Sequence, residues 1–142
     1  MSVRKANAEW RGNLKEGSGN LSTESGTLKN TAYNFISRFE SGKQTNPEEL
    51  LGAAHAGCFT MALAHSLSTD GFKVNSIKTE DKVHLEKVDG NNTITKIEVD
   101  TVGDVEGIDD TKFQKYAEDT KNTCIVSRAL AGVKYSLNAK LK

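Results

Sequence analysis

One segment limits what this chain can fold into: Leu50 to Leu67 is almost wholly apolar or small, interrupted by His55, Thr60, His65, Ser66, Gly52 and Gly57. Just before it, Asn46-Pro47-Glu48-Glu49 reads as a helix start. Asn46 can cap, Pro47 suits the first helical position, and Glu49 stands at capping-box spacing. The two carboxylates suit the positive end of the helix dipole. Asp70-Gly71 supplies the glycine expected past a helix end. A membrane span needs about 20 largely apolar residues, and the polar interruptions favour a core helix instead. Apolar residues occupy nearly the whole circumference, which predicts burial on all sides. A chain of 142 residues that is 36% hydrophobic has little material to surround such a helix. A homodimer is therefore expected.

The flanks of this helix alternate. Residues before 45 read as short strands broken at Gly12-Asn13, Gly17-Ser18-Gly19-Asn20 and Ser25-Gly26. Tyr33 to Phe39 alternates, with Tyr33, Phe35, Ser37 and Phe39 on one face, and reads as one more strand. After the helix, the run to Val88, the turn signal Asp89-Gly90-Asn91-Asn92 and the run from Ile94 to Val105 predict a hairpin. Ile108-Asp109-Asp110-Thr111 opens a second helix, a short third one follows Cys124, and Gly132 to Leu141 is a last strand. The order predicts one α+β domain over residues 1–142, with antiparallel sheets around a long buried central helix.

Charge excludes some functions. Nineteen basic and nineteen acidic residues give a net charge of zero. They are interspersed, as in Lys78-Thr79-Glu80-Asp81-Lys82, so no basic face for nucleic acid is expected. Met1 to Asn7 lacks an apolar core, so no secretory signal is read and a cytoplasmic location is expected. In that compartment two cysteines are either inert core residues or a redox pair.

Cys58 lies inside the apolar helix, where burial disfavours its thiolate. To react it needs a positive charge or hydrogen-bond donors. The dipole field fades within the first turn, so a break at Gly52 or Gly57 is one route. Arg38 is another: a guanidinium there would stabilise the thiolate and donate to a peroxide oxygen. The strand pattern alone favours a solvent-facing arginine. Glu48 or Glu49 could hold such a guanidinium, although Glu48 and Cys58 stand about 15 Å apart on a straight helix. Cys124 sits at a helix start, where thiols are readily activated. His55 shares a helix face with Cys58 as a base or metal ligand, or is a core histidine.

Those residues carry a resemblance. Ser22-Thr23-Glu24-Ser25-Gly26, Arg38-Phe39-Glu40, Thr45-Asn46-Pro47-Glu48-Glu49-Leu50, Gly52-Ala53-Ala54-His55-Ala56-Gly57-Cys58-Phe59 and Thr93-Ile94-Thr95-Lys96-Ile97 resemble the OsmC/Ohr family over essentially the whole chain. The resemblance implies two intertwined subunits with active sites at their interface. It implies a peroxidatic Cys58, a resolving Cys124, and Arg38 and Glu48 as polar partners of the reactive thiol. Glu49 is a substitute for Glu48, and His55 a supporting residue. It further implies organic hydroperoxides as substrates, no bound cofactor or metal, and an external dithiol of the dihydrolipoyl type, carried on a lipoylated protein, as reductant. Members often have proline after the second cysteine; Ile125 stands here, which loosens the expected turn. Two other readings stay open: a redox-sensing interaction module using the same cysteines, and a metal protein using His55 with Cys58.

Overall fold

In the computed structural model, which describes residues 1–142, the chain forms two compact units, Met1–Leu50 and Leu51–Lys142. In the first, strands β1 (Ala6–Arg11), β2 (Ser18–Thr23) and β3 (Thr31–Tyr33) make an antiparallel sheet in that order. The aromatic alternation after Tyr33 does not continue the strand. Asn34 caps a one-turn helix, α1 (Phe35–Phe39): its side chain accepts from the Ser37 N–H, and Ser37 Oγ accepts from the Asn34 N–H, each at 2.9 Å. Two terminal donors are thereby satisfied locally, which outweighs strand propensity here. Phe35 and Phe39, four apart, then meet with ring centres 5.1 Å apart and a 46° tilt instead of sharing a strand face.

Helix α2 (Pro47–Thr69) begins where the sequence places it, with Asn46 Oδ1 accepting from the Glu49 N–H at 2.7 Å. The return half of the capping box is not made, because the Glu49 carboxylate takes the Thr45 hydroxyl at 2.8 Å. The helix is unbroken through Gly52 and Gly57. Gly52 serves packing: a Cβ there would sit 3.2 Å from Val83 Cγ2, so its absence lets β4 come close.

The second unit builds its core against one face of α2. Strands β4 (Lys73–Val88) and β5 (Asn91–Glu106) form a long antiparallel hairpin. Asp89 and Gly90 turn it with φ of 51° and 81°, the left-handed pair a two-residue loop requires. Helices α3 (Asp110–Thr123) and α4 (Ile125–Ala129) cross back, so β6 (Lys134–Leu141) joins β5 in parallel. This corrects the wholly antiparallel expectation, since a helical crossover returns the chain in the same direction. Phe59, Leu63 and Leu67 of α2 bury against Ile97, Val99, Phe113 and Ala117. Burial of α2 within one chain is one-sided, not all round. The opposite face leaves Ala53, Ala54 and Gly57 exposed and Met61 at 78% exposure.

Candidate active site

In the first unit, α1 carries Arg38 and the first turn of α2 carries Glu48. Asn46 Nδ2 donates to the Ser37 carbonyl at 3.0 Å and ties the two segments together. Arg38 Nε then donates to Glu48 Oε1 at 3.1 Å, and its guanidinium lies 5.2 Å from the centre of the Phe39 ring. Glu48 is buried and its Oε2 has no partner, so the carboxylate holds the cation with capacity to spare. Glu49, exposed and turned to Thr45, is not the arginine's acceptor. Beside the pair, Trp10, Leu14, Tyr33, Phe35, Phe39 and Arg38 line a hollow of about 410 Å³. Greasy walls with one cation suit an organic molecule carrying a polar or anionic end.

The second unit holds both cysteines, each a free thiol. Cys58 is half-buried, and the Val126 N–H, in the first turn of α4, points at its sulfur from 3.5 Å. Cys124 ends α3 and caps α4 at once: its sulfur accepts from the Ser127 N–H at 3.4 Å and lies 3.0 Å from Ser127 Oγ. Ile125 takes the first position of α4, so this turn forms without the usual proline. Cys58 and Cys124 are neighbours, since the helix that Cys124 caps directs its Val126 N–H at the Cys58 sulfur. Burial pushes the Cys124 thiol up, the Ser127 hydrogen bonds pull it down, and the neighbouring Cys58 sulfur pushes it up again. Two adjacent thiolates in a low-dielectric site repel. A negative charge on the neighbouring sulfur therefore favours the protonated form of Cys124.

His55 does not serve Cys58 directly. Its ring is fully buried, with Nδ1 bonded to the Asp81 carboxylate and Nε2 2.9 Å from Ser127 Oγ. Tyr135 stacks on the ring at 4.9 Å. With both nitrogens engaged, His55 is not left free to ligate a metal with Cys58, and no set of three ligating side chains gathers around it. Asp81, Ser127 and Tyr135 escaped the sequence reading because three separate elements, β4, α4 and β6, deliver them. The one local clue was Ser127 three residues after a helix-start Cys124.

Comparison with known proteins places this geometry among relatives. The family model described as OsmC-like protein matches residues 40–138. The chain is 47% identical to peroxiredoxin OsmC of Escherichia coli over 127 residues, covering 89% of each. Its fold matches the organic hydroperoxide resistance protein OhrB of Bacillus subtilis with a TM-score of 0.67 at 26% identity, over 97% of this chain and 98% of that one. It also matches an organic hydroperoxide resistance protein OsmC from Legionella pneumophila, with a TM-score of 0.72 at 20% identity over 99% of both chains.

Proposed function

The chain belongs to the family of OsmC-like proteins, and from that premise we propose that Cys58 is the peroxidatic thiol and Cys124 the resolving thiol of a peroxidase acting on organic hydroperoxides. That it is a cysteine-based peroxidase of stress defence follows from its relatives; the residue roles, substrate and reductant are the proposal. The observation that carries it is the pairing of a half-buried Cys58 with a buried Cys124, which caps the helix whose Val126 N–H points at the Cys58 sulfur.

Cys58 thiolate attacks the terminal oxygen of ROOH. The O–O bond breaks, ROH leaves after taking a proton, and Cys58 becomes a sulfenic acid. The Cys124 sulfur displaces the hydroxyl, giving a disulfide and water. An external dithiol, of the dihydrolipoyl type and carried on a lipoylated protein, restores both thiols. By the family resemblance, Arg38, held by Glu48, is the cation assigned to the thiolate and the leaving oxygen. The hollow lined by Trp10, Tyr33 and Phe39 favours an alkyl or aryl group over hydrogen peroxide.

The working unit is a homodimer, with residues 1–142 acting as one functional domain. Two observations support this: the apolar outward face of α2, with Met61 at 78% exposure, and a family match that runs across the boundary between the two units. The location is cytoplasmic, where free thiols persist.

Intact mass after one equivalent of cumene hydroperoxide tests the roles. A Cys58–Cys124 disulfide is expected in the parent, and sulfenic acid on Cys58 in Cys124→Ser. Full turnover with dihydrolipoamide by Cys58→Ser would overturn the reading, while disulfide formation without turnover would favour a redox sensor.

A further inference from the structure

Beyond the two thiols, the second unit contains a connected chain of buried polar groups with no part in the peroxide step. Asp81 is 1% exposed at its side chain, His55 is 0% exposed and Ser127 is 4% exposed. Asp81 Oδ2 meets His55 Nδ1, His55 Nε2 meets Ser127 Oγ at 2.9 Å, and Ser127 Oγ meets Cys124 Sγ at 3.0 Å. Donor counting orients every link. An ionised Asp81 only accepts, so Nδ1 carries the ring proton and the neutral ring's Nε2 accepts. Ser127 has one O–H, which goes to Nε2, so its oxygen is left to accept from the Cys124 S–H. Asp81 Oδ1 is buried with no partner. An incompletely satisfied buried carboxylate is costly for a purely structural group, and it suits a partner ring that becomes cationic.

We infer that Asp81, His55 and Ser127 form a proton relay for Cys124, which accepts the thiol proton as Cys124 attacks the Cys58 sulfenic acid. The inference rests on the cysteine roles proposed above. In the step, the Cys124 S–H proton passes to Ser127 Oγ as the serine proton passes to His55 Nε2. The thiolate forms the S–S bond, the Cys58 S–O bond breaks, and the departing hydroxide leaves as water with the proton that the imidazolium gives up. The sum is one thiol plus one sulfenic acid giving one disulfide and one water, with no further oxidant or reductant. Ser127 touches the reacting sulfur and is the catalytic group; His55 and Asp81 are positioning residues acting through it. The need for a base is physical, because burial holds the Cys124 proton. The ionisable groups around the ring are Asp81 from β4, Tyr135 from β6, Cys124 at the head of α4 and Cys58 one turn along α2. Burial keeps the Tyr135 phenol protonated, so it brings no competing charge.

The test is a single turnover. One equivalent of cumene hydroperoxide is added between about pH 6 and 9, samples are quenched with dimedone and a maleimide, and mass spectrometry counts sulfenic acid and disulfide. The parent should form disulfide with a shallow pH dependence. Ser127→Ala should accumulate Cys58 sulfenic acid and close the disulfide about a hundredfold more slowly near pH 7, accelerating about tenfold per pH unit as Cys124 ionises unaided. Ser127→Thr should restore the parent rate and profile. Should Ser127→Ala fail to fold, Asp81→Asn, which keeps the shape and removes the charge, should give the same slow and steep profile. A foldable Ser127→Ala or Asp81→Asn with the parent's rate and profile overturns the relay while leaving the cysteine roles intact. A parent that forms neither sulfenic acid on Cys58 nor disulfide overturns both.

Discussion

Arg38 and Glu48 show how one hydrogen bond separates two neighbouring carboxylates. In sequence, either glutamate could hold the guanidinium on spacing alone, and only the family resemblance prefers Glu48. In the fold, Glu48 is buried on Arg38 Nε at 3.1 Å, and Glu49 is outside on Thr45. If Arg38 serves the reacting thiol as proposed, the carboxylate that holds its guanidinium should matter to turnover and the one at the helix surface should not. Glu48→Gln is expected to lower kcat/KM for cumene hydroperoxide by about tenfold or more, and Glu49→Gln to leave it within about twofold, in steady-state assays with dihydrolipoamide. Arg38→Met should cost about 10²–10³-fold, the scale of losing a preorganised donor. Arg38→Lys should recover little of it, because a lysine cannot give Glu48 an Nε–H and still present further planar N–H donors beside it. Equal losses for the two glutamine variants would remove Glu48 from the site.

At the scale of elements, each unit contains a turn that caps itself. Asn34 and Ser37 close α1 and so aim Arg38, while Cys124 closes α4 and so holds Ser127 against its own sulfur. Asn34→Ala is expected to cost about 1 kcal/mol of stability, the usual value of a lost cap. It should also lower kcat/KM more than that loss of folded protein explains, since the helix carrying Arg38 loosens. Thermal melts and initial rates on the same preparation check this. The alternating aromatics from Tyr33 to Phe39 read as a strand because period two and a four-residue repeat coincide over so short a run; only the reciprocal cap decides. α2 was legible because caps, carboxylates and apolar content all agree. Gly52 was not, since its use is the close approach of Val83.

For the whole molecule, two expectations follow from burial. The outward face of α2 leaves Met61 at 78% exposure on an otherwise small-residue surface, which suits a subunit contact. Met61→Asp should shift the protein from dimer to monomer in sedimentation, through the cost of burying an unpaired charge. A parent that already sediments as a monomer would defeat the assembly. Alkaline pH should also weaken the fold. Cys124 and Tyr135 are both held protonated by burial more firmly than in an unfolded chain. The stability they lend is complete below the unfolded thiol value of about 8.5 and drains away as pH rises through their folded values. Melting temperature should therefore hold steady from about pH 6 to 8 and fall above about pH 9, with Cys124→Ser falling less steeply.

By itself the sequence determined what local patterns can encode: the start and end of α2, the β4–β5 hairpin with its Asp89-Gly90 turn, the helix that follows Asp109, and the candidacy of Cys58, Cys124, Arg38 and Glu48. Caps, turns and periodicity act over a few residues, so they can be read from a few residues. The tertiary structure decided the parallel return of β6, the Arg38–Glu48 bond itself, and the hydrogen-bond partners of His55. That histidine looked like a partner for Cys58 because both share a helix face. Only the arrival of Asp81 from one strand and Ser127 from a distant helix turned its ring toward Cys124, and contacts between segments far apart along the chain leave no periodic trace in it.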